Sequence, residues 1–350
     1  LRRRLTDVGF IVEGTEGEGK DAVLEVELTA NRPDGMNHRG LAREAACALG
    51  RPFRDVPVPA PAEGAAAVSS LATVTIAAPE LCSRYSARVV EGIRVREASA
   101  RVQERLRALG MNPISAPVDA TNHVLWDPGQ PLHAFDLETL AKGPDGLPAI
   151  VVRLARAGET LVTLDGVERT LTPEDLVIAD AERPVALAGV MGGLETAITP
   201  STTRVLLESA HFNATAVRKT ARRHGMHTDA SHRFERGVDI MLADWASRRA
   251  AALLTEHAGA EAAQGAIDVF GAPPPERFVA CRFARARQLL GVDISDDAIC
   301  GVFEALLLAV TDRDKKGCKV RVPTFRMDIE IEADLIEEVA RIHGLDKIPV

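Results

Sequence analysis

"RVLLESAHFNATAVRKTARRHG", Arg204–Gly225, contains two patterns in succession. Arg204–Phe212 is apolar at most positions and reads as a buried strand. Asn213–Gly225 reads as a helix. Working outward, "DLVIAD" (Asp175–Asp180) is a second buried strand, and "ETLVTLDGVERTLT" (Glu159–Thr172) is a hairpin turning at Asp165-Gly166. "CSRYSARVVEGIRV" (Cys82–Val95) alternates as a strand does, and "SARVQERLRALG" (Ser99–Gly110) is an amphipathic helix with Gly110 to end it. "DIMLADWASRRAAALLTEHAG" (Asp239–Gly259) is a further helix. Helices on a largely antiparallel sheet define an α+β domain. Within the opening strand Glu208 stands out. A carboxylate among apolar neighbours either faces solvent by alternation or is buried with a partner, where it can accept a hydrogen bond from a ligand hydroxyl.

Two Pro-rich stretches bound this domain. "VPVPAPAEGAAAVSS" (Val56–Ser70) and "FGAPPPERF" (Phe270–Phe278) read as linkers. The expected layout is a small α/β module at 1–55, a linker at 56–72, a central domain at 73–269, a linker at 270–276 and a winged-helix-like module at 277–350. The last is expected to run helix (Arg285–Gly291), helix (Asp296–Val310), strand (Cys318–Phe325) and helix (Glu332–Gly344). The two small modules echo each other. Arg32 and Asp34 stand at the same spacing from Glu44 as Arg326 and Asp328 do from Glu338. That agreement in register favours a duplicated unit.

The 350 residues, 46% hydrophobic and 26% charged, suffice for two or three domains, and no uncharged apolar run spans a bilayer. A net charge of -8 argues against a broad non-specific nucleic-acid surface but leaves room for local RNA contact. Aromatic content of 4% disfavours a base-stacking platform. Five scattered cysteines without a CxxC pair read as reduced thiols, and no export segment is visible, so a cytoplasmic protein is expected. The chain opens as if inside a helix, which suggests a piece of a longer polypeptide.

Four stretches carry candidate chemistry. "HGMHTDASHRFERG" (His224–Gly237) offers His224, His227, Asp229 and His232 to a metal, but the spacing is poor for zinc. A loop whose arginines pair with Asp229 and Glu235 is the plainer reading. A third is a phosphate-holding wall of Arg218, Lys219, Arg222, Arg223, Arg233 and Arg236. "VDATNHVLWDPGQPLHAFDLETL" (Val118–Leu140) sets Thr121, Asn122, Gln130, His133 and Asp136 among turn residues, with Pro128 and Pro131 stiffening the loop before His133. "LAGVMGGLETAIT" supplies Gly189, Gly192 and Gly193 for close backbone approach, without the spacing of a dinucleotide fold. In "RMDIEIEADLIEEVARIHG", Asp334, Glu337 and Glu338 share a helix face, with Asp328 on the approach loop. They suit either a hard cation or the acidic first turn of a helix.

Together "LTANRPDGMNHRGLAREAA", "CSRYSARVVEGIRV", "VDATNHVLWDPGQPLHAFD", "HGMHTDASHRFERGVD" and "VPTFRMDIEIEADLIEEVARIHGLDKIP" resemble, in order and over nearly the whole chain, the bacterial phenylalanine–tRNA ligase beta subunit family. The resemblance implies ATP-dependent charging of tRNA(Phe) by a heterotetramer of two alpha and two beta subunits, with the aminoacylation site on the alpha subunit. It makes 73–269 an editing domain that hydrolyses tyrosyl-tRNA(Phe) with a positioned water and no enzyme nucleophile. The chemical need is plain: an apolar pocket for phenylalanine rejects an added hydroxyl weakly, so a second sieve must want that hydroxyl. By resemblance Glu208 binds the tyrosine hydroxyl, His133 and Thr228 act on the ester and water, and Ala230, Asn122, Pro131 and Gly192 line the pocket. Asp328, Asp334, Glu337 and Glu338 match a Mg²⁺ site shared with the alpha subunit. Three departures stand out. "TEGEGKDA" occupies the place of an OB-type tRNA-binding insert, Asn112 replaces a frequent Arg, and His123 a frequent aromatic. The competing expectations are a tRNA-binding or assembly scaffold with a degenerate pocket, and a metallohydrolase built on His224, His227 and His232.

Overall fold

The computed structural model describes residues 1–19 and 22–349. They form two units: Leu1–Val56 with Pro274–Val350, and Pro57–Pro273.

The Pro57–Pro273 unit contains two larger sheets. In the six-stranded one, Arg204–Phe212 lies between Cys82–Glu91 and Leu132–Asp136 and runs antiparallel to both. Ile267–Phe270 and Glu261–Gln264 also pair with Cys82–Glu91, and Glu63–Ala67 closes the edge. The five-stranded sheet runs Met191–Gly192, Pro184–Leu187, Leu176–Ala179, Ala149–Leu154, Thr73–Ile76, with only the last pair parallel.

Strand alternation divides the opening stretch between two cores. Leu206, Ala210 and Phe212 join Tyr85, Ala87 and Phe135 against Val152, Ile178 and Leu187 of the second sheet. Val205 and Leu207 join Val90 against Ala120, Val124, Ala246, Ala250 and Leu254, which lie on the helices Ala116–Trp126 and Leu242–Ala258. The layers are therefore helix, sheet, sheet. A strand covered on both faces needs apolar residues on both, which is why Val205 and Leu207 face one way and Leu206, Ala210 and Phe212 the other. Burying each leucine contributes about 1.5–3 kcal/mol. The small alanines let the Leu242–Ala258 helix approach the sheet closely.

Local signals place several ends. Asn213 accepts a hydrogen bond from the Ala216 amide and starts Ala214–Arg223. Ser99 does the same through Val102 for Ala100–Ala108. Gly166, at φ 77°, turns the hairpin between Thr160–Val162 and Glu168–Thr170. Other expectations change. Ala116–Trp126 is a helix where turn residues were expected. It is sheltered on most sides, so its buried residues include Asp119, Thr121 and His123 as well as apolar ones and show no clean periodicity. The 56–72 stretch, read as a linker, holds the edge strand Glu63–Ala67.

In the other unit the two distant segments share their cores. Cys47 packs with Phe283, Phe303, Val320, Leu335 and Val339, and Ile342 packs against Leu5, Val8, Phe10 and Val12. A sheet in the order Arg277–Arg282, Gly317–Val322, Ala309–Thr311 carries the helices Phe283–Leu290, Asp296–Ala305 and Glu332–His343. The helix expected over Asp296–Val310 stops at Ala305. Leu307 takes φ 63°, and Ala309–Thr311 continues as an edge strand. A continuous apolar run cannot by itself announce where a helix hands over to a strand.

Candidate functional site

Register brings the first two candidates together. Glu208 on Arg204–Phe212 lies directly opposite His133 on Leu132–Asp136, so both side chains enter the layer between the sheets. Glu208 is 6% exposed, and its Oε2 is buried without a partner among the described residues. Burial pushes its carboxyl up to about 8. His133 is half-buried, with Nε2 enclosed and unpartnered among the described residues, and burial pushes the imidazole down to about 4. At pH 7 both groups are therefore neutral: a carboxylic acid able to donate and accept, and an imidazole with one basic nitrogen. The His133 ring stands edge-on to Phe135, 4.5 Å between centroids.

Gly192 completes this contact. A Cβ there would lie 2.3 Å from His133 Cε1 and 2.5 Å from Nε2, so only glycine lets the Met191–Gly192 strand pass the ring. Thr228 is tied to the same segment. Its hydroxyl donates to the Val190 carbonyl at 2.8 Å, and it accepts from the Ser231 amide at 3.0 Å as the cap of the helix Asp229–Phe234. Ala230 packs against the same core. Pro131 is buried, and its carbonyl accepts from Gln130 Nε2 at 3.1 Å. That nitrogen also donates to the Ala210 carbonyl at 2.9 Å. Gln130, fully buried, thus ties the proline loop to the strand of Glu208. It stood among the polar candidates by sequence, but nothing there distinguished a tether from a lining group. Asn122 lies on the helix Ala116–Trp126, whose Ala120 and Val124 pack in the helical layer.

The histidine-rich stretch disperses. His224 Nε2 lies 3.0 Å from Asp175, while His227 and His232 meet edge to face at 5.3 Å. Arg233 reaches Asp229 and Arg236 reaches Glu235, as the plain reading expected. Arg218, Lys219 and Arg222 are exposed on their helix, whereas Arg223 pairs with Glu174 and Asp175. Among the described residues no group of three or more His, Cys, Asp or Glu is disposed to hold a metal ion.

The same test bears on the acidic helix, and Asp328, Asp334, Glu337 and Glu338 do not fit a common cation. Arg326 holds Asp328 at 2.9 and 2.8 Å and Glu338 at 2.8 Å, and Arg341 holds Glu338 at 2.8 Å. Burial alone would raise Glu338, but Arg341 and Arg326 overcome it and keep the carboxyl well below the usual range. Asp334 accepts from the amides of Glu330 and Ile331 at the helix start, both at 2.8 Å. Glu337 is exposed. The first turn of this helix is thus capped by its own acid.

The raised Glu208 carboxyl has a consequence for stability. Its ordinary value is 4.5 and its folded value about 8, so between those pH values the folded chain binds a proton that the unfolded chain releases. Stability is then full below about 4.5 and falls as pH rises toward 8, by up to about 1.4 kcal/mol per pH unit. Glu208→Gln should flatten that slope. Urea unfolding followed by the fluorescence of Trp126 and Trp245 checks it, and identical slopes in both proteins would contradict the burial of an acid there.

Comparison with known proteins follows the same division. Residues 81–259 match the B3/4 domain family, and residues 279–345 match the tRNA synthetase B5 domain. The phenylalanine–tRNA ligase beta subunit of Moorella thermoacetica is 46% identical over 331 residues, covering 95% of this chain and 40% of that protein. The corresponding subunit of Geobacter sulfurreducens is 46% identical over 329 residues, covering 94% and 40%. This chain therefore spans about 40% of the length of these relatives. An N-terminal fragment of the phenylalanyl-tRNA synthetase beta subunit from Pyrococcus horikoshii has a similar fold, with a TM-score of 0.50 at 15% identity, covering 98% of this chain and 93% of the fragment.

Proposed function

The chain belongs to the B3/4 domain family, its relatives being phenylalanine–tRNA ligase beta subunits, and on that premise we propose that it is the part of such a subunit that hydrolyses tyrosyl-tRNA(Phe). The facing of Glu208 and His133 carries this reading: two enclosed polar groups, each with an atom lacking a partner, stand opposite each other in an apolar layer. A phenol hydroxyl presented to the Glu208 carboxyl gives it a partner that phenylalanine lacks. Phenylalanine leaves a carboxyl oxygen facing it unpaired, a cost of about 1–3 kcal/mol for each such group.

Ester hydrolysis then falls to the neutral imidazole. His133 Nε2, free of other partners among the described residues, accepts a hydrogen bond from water or donates one to the ester, according to its tautomer. The side chains at hand are poor nucleophiles. The Thr228 hydroxyl is engaged by Val190 and Ser231, and burial pushes the Cys82 thiol far up, so it is not a thiolate. A positioned water fits these facts. The exposed Arg218, Lys219 and Arg222 are suited to hold tRNA phosphates. In the whole ligase, ATP-dependent charging belongs to the alpha subunit partner.

The test is hydrolysis of tyrosyl-tRNA(Phe) against phenylalanyl-tRNA(Phe) by this chain. Preferential loss of the tyrosyl ester supports the reading. Binding of both tRNAs with no hydrolysis above the spontaneous rate points instead to a scaffold. Gly192→Ala is expected to slow tyrosyl ester hydrolysis about 100-fold or more. Its methyl must displace the His133 ring, and an ångström of misplacement costs that order of rate. An unchanged rate in that variant removes His133 from the reaction.

A further inference from the structure

Tyr85 is fully buried, and its hydroxyl has no partner among the described residues. It lies on Cys82–Glu91, opposite Ala210, two positions from the Ala87–Glu208 pair. Diagonal neighbours on one face are about 7–8 Å apart at the backbone, within reach of a long aromatic side chain. Tyr85, Ala87 and Ala210 all enter the core between the sheets. The phenol and the Glu208 carboxyl therefore share one apolar layer, and each leaves an oxygen unsatisfied. Buried polar atoms are paired in the great majority of cases, so two orphans on one face of a sheet call for an explanation.

We propose that Tyr85 is a positioning residue for Glu208: its hydroxyl donates to Glu208 Oε2 and leaves Oε1 for the hydroxyl of the ligand. Both orphaned atoms are satisfied by this contact, between two side chains on one face of neighbouring strands. It also fixes which carboxyl oxygen meets the ligand. The titratable groups facing Glu208 are His133 from Leu132–Asp136 and Tyr85 and Cys82 from Cys82–Glu91. Cys82 is committed elsewhere, its thiol donating to the Arg84 carbonyl at 3.5 Å. That leaves the phenol of Tyr85 as the donor on that strand.

This inference rests on Glu208 being the group that meets the ligand hydroxyl, and its test separates the two claims. The first readout is the titration of the Glu208 side-chain carboxyl by ¹³C NMR, assigned by its absence in Glu208→Gln. The second is the ratio of tyrosine to phenylalanine binding. Tyr85→Phe removes one oxygen atom and keeps the packing. It is expected to move the Glu208 midpoint upward, because the ionised form loses a donor, and to lower the binding ratio about tenfold. An unmoved midpoint overturns the Tyr85–Glu208 contact. A moved midpoint with an unchanged or increased ratio overturns the positioning role. A moved midpoint in a protein whose parent shows no preference for tyrosine upholds the contact and counts against the functional reading alone.

Discussion

Arg326→Met is expected to cost the unit made of Leu1–Val56 and Pro274–Val350 about 3–5 kcal/mol, a large part of the 5–15 kcal/mol that holds a typical domain. Arg326 is 1% exposed and serves both Asp328 and Glu338. Its counterpart Arg32 serves Asp34 and Glu44, with Nε 2.9 Å from Asp34. Arg341 joins the halves, reaching Glu338 and Glu44, the latter at 2.7 Å. Three guanidinium groups and four carboxylates thus form one buried lattice across two segments distant in sequence. Removing Arg326 leaves Asp328 without its close partner and Glu338 with only Arg341. Such a loss is costly even where replacing a whole buried lattice by apolar residues would not be. Hydrogen exchange in the helices His38–Ala48 and Glu332–His343 measures the effect, since both tryptophans lie in the other unit. Unchanged protection in those helices would show the lattice to be ornamental. The same variant also tests the cation alternative. If the acids hold Mg²⁺, millimolar Mg²⁺ restores the variant; if they serve the arginines, it does not.

This lattice shows what kind of structure a single sequence can disclose. The repeated spacing of Arg, Asp and Glu was legible because each copy folds its arginine back onto acids two and twelve residues away. That requirement is local and leaves the same mark twice. The bridging Arg341 was not legible as part of it, because the equivalent place after Glu44 is Cys47, and a residue that joins two copies need not be repeated. Asp328, Asp334, Glu337 and Glu338 suggested a cation because their clustering is visible in sequence. Their separate commitments, Asp328 and Glu338 to arginines and Asp334 to backbone amides, are visible only in the fold.

The intersheet site follows the same rule. Glu208 drew attention as an acid in an apolar strand, and the strand itself was plain from its composition. Its register with His133 depends on pairing between residues far apart in the chain. Nothing in the sequence marks Tyr85, since alternation places it inward and says nothing of its hydroxyl. Asn122 entered the pocket by resemblance alone, and the helix Ala116–Trp126 that carries it was hidden because shelter on most sides leaves no clean periodicity.

On the proposed reading, Glu208→Ala has the largest functional effect of any single change. A site built around a hydrogen bond to a hydroxyl can separate substrates that differ by that group by up to about 10⁴–10⁵, whereas one filled by apolar contact separates them far less. The alanine variant lacks the carboxyl, so phenylalanine no longer incurs the cost of burying an unpaired oxygen against it. The ratio of tyrosyl to phenylalanyl ester hydrolysis should fall at least about 100-fold. Because the loss is one of discrimination, much of the collapse should come from improved handling of the phenylalanyl ester. Glu208→Gln separates charge from hydrogen bonding. The wild-type acid is neutral below about 8, and the amide, also neutral, both donates and accepts. Glutamine should therefore preserve much of the preference at pH 7 that alanine abolishes. Equal collapse in both variants would mean that ionised Glu208 is the form that selects. A ratio unchanged in Glu208→Ala would place the selection elsewhere in the layer and remove the central element of the proposed function.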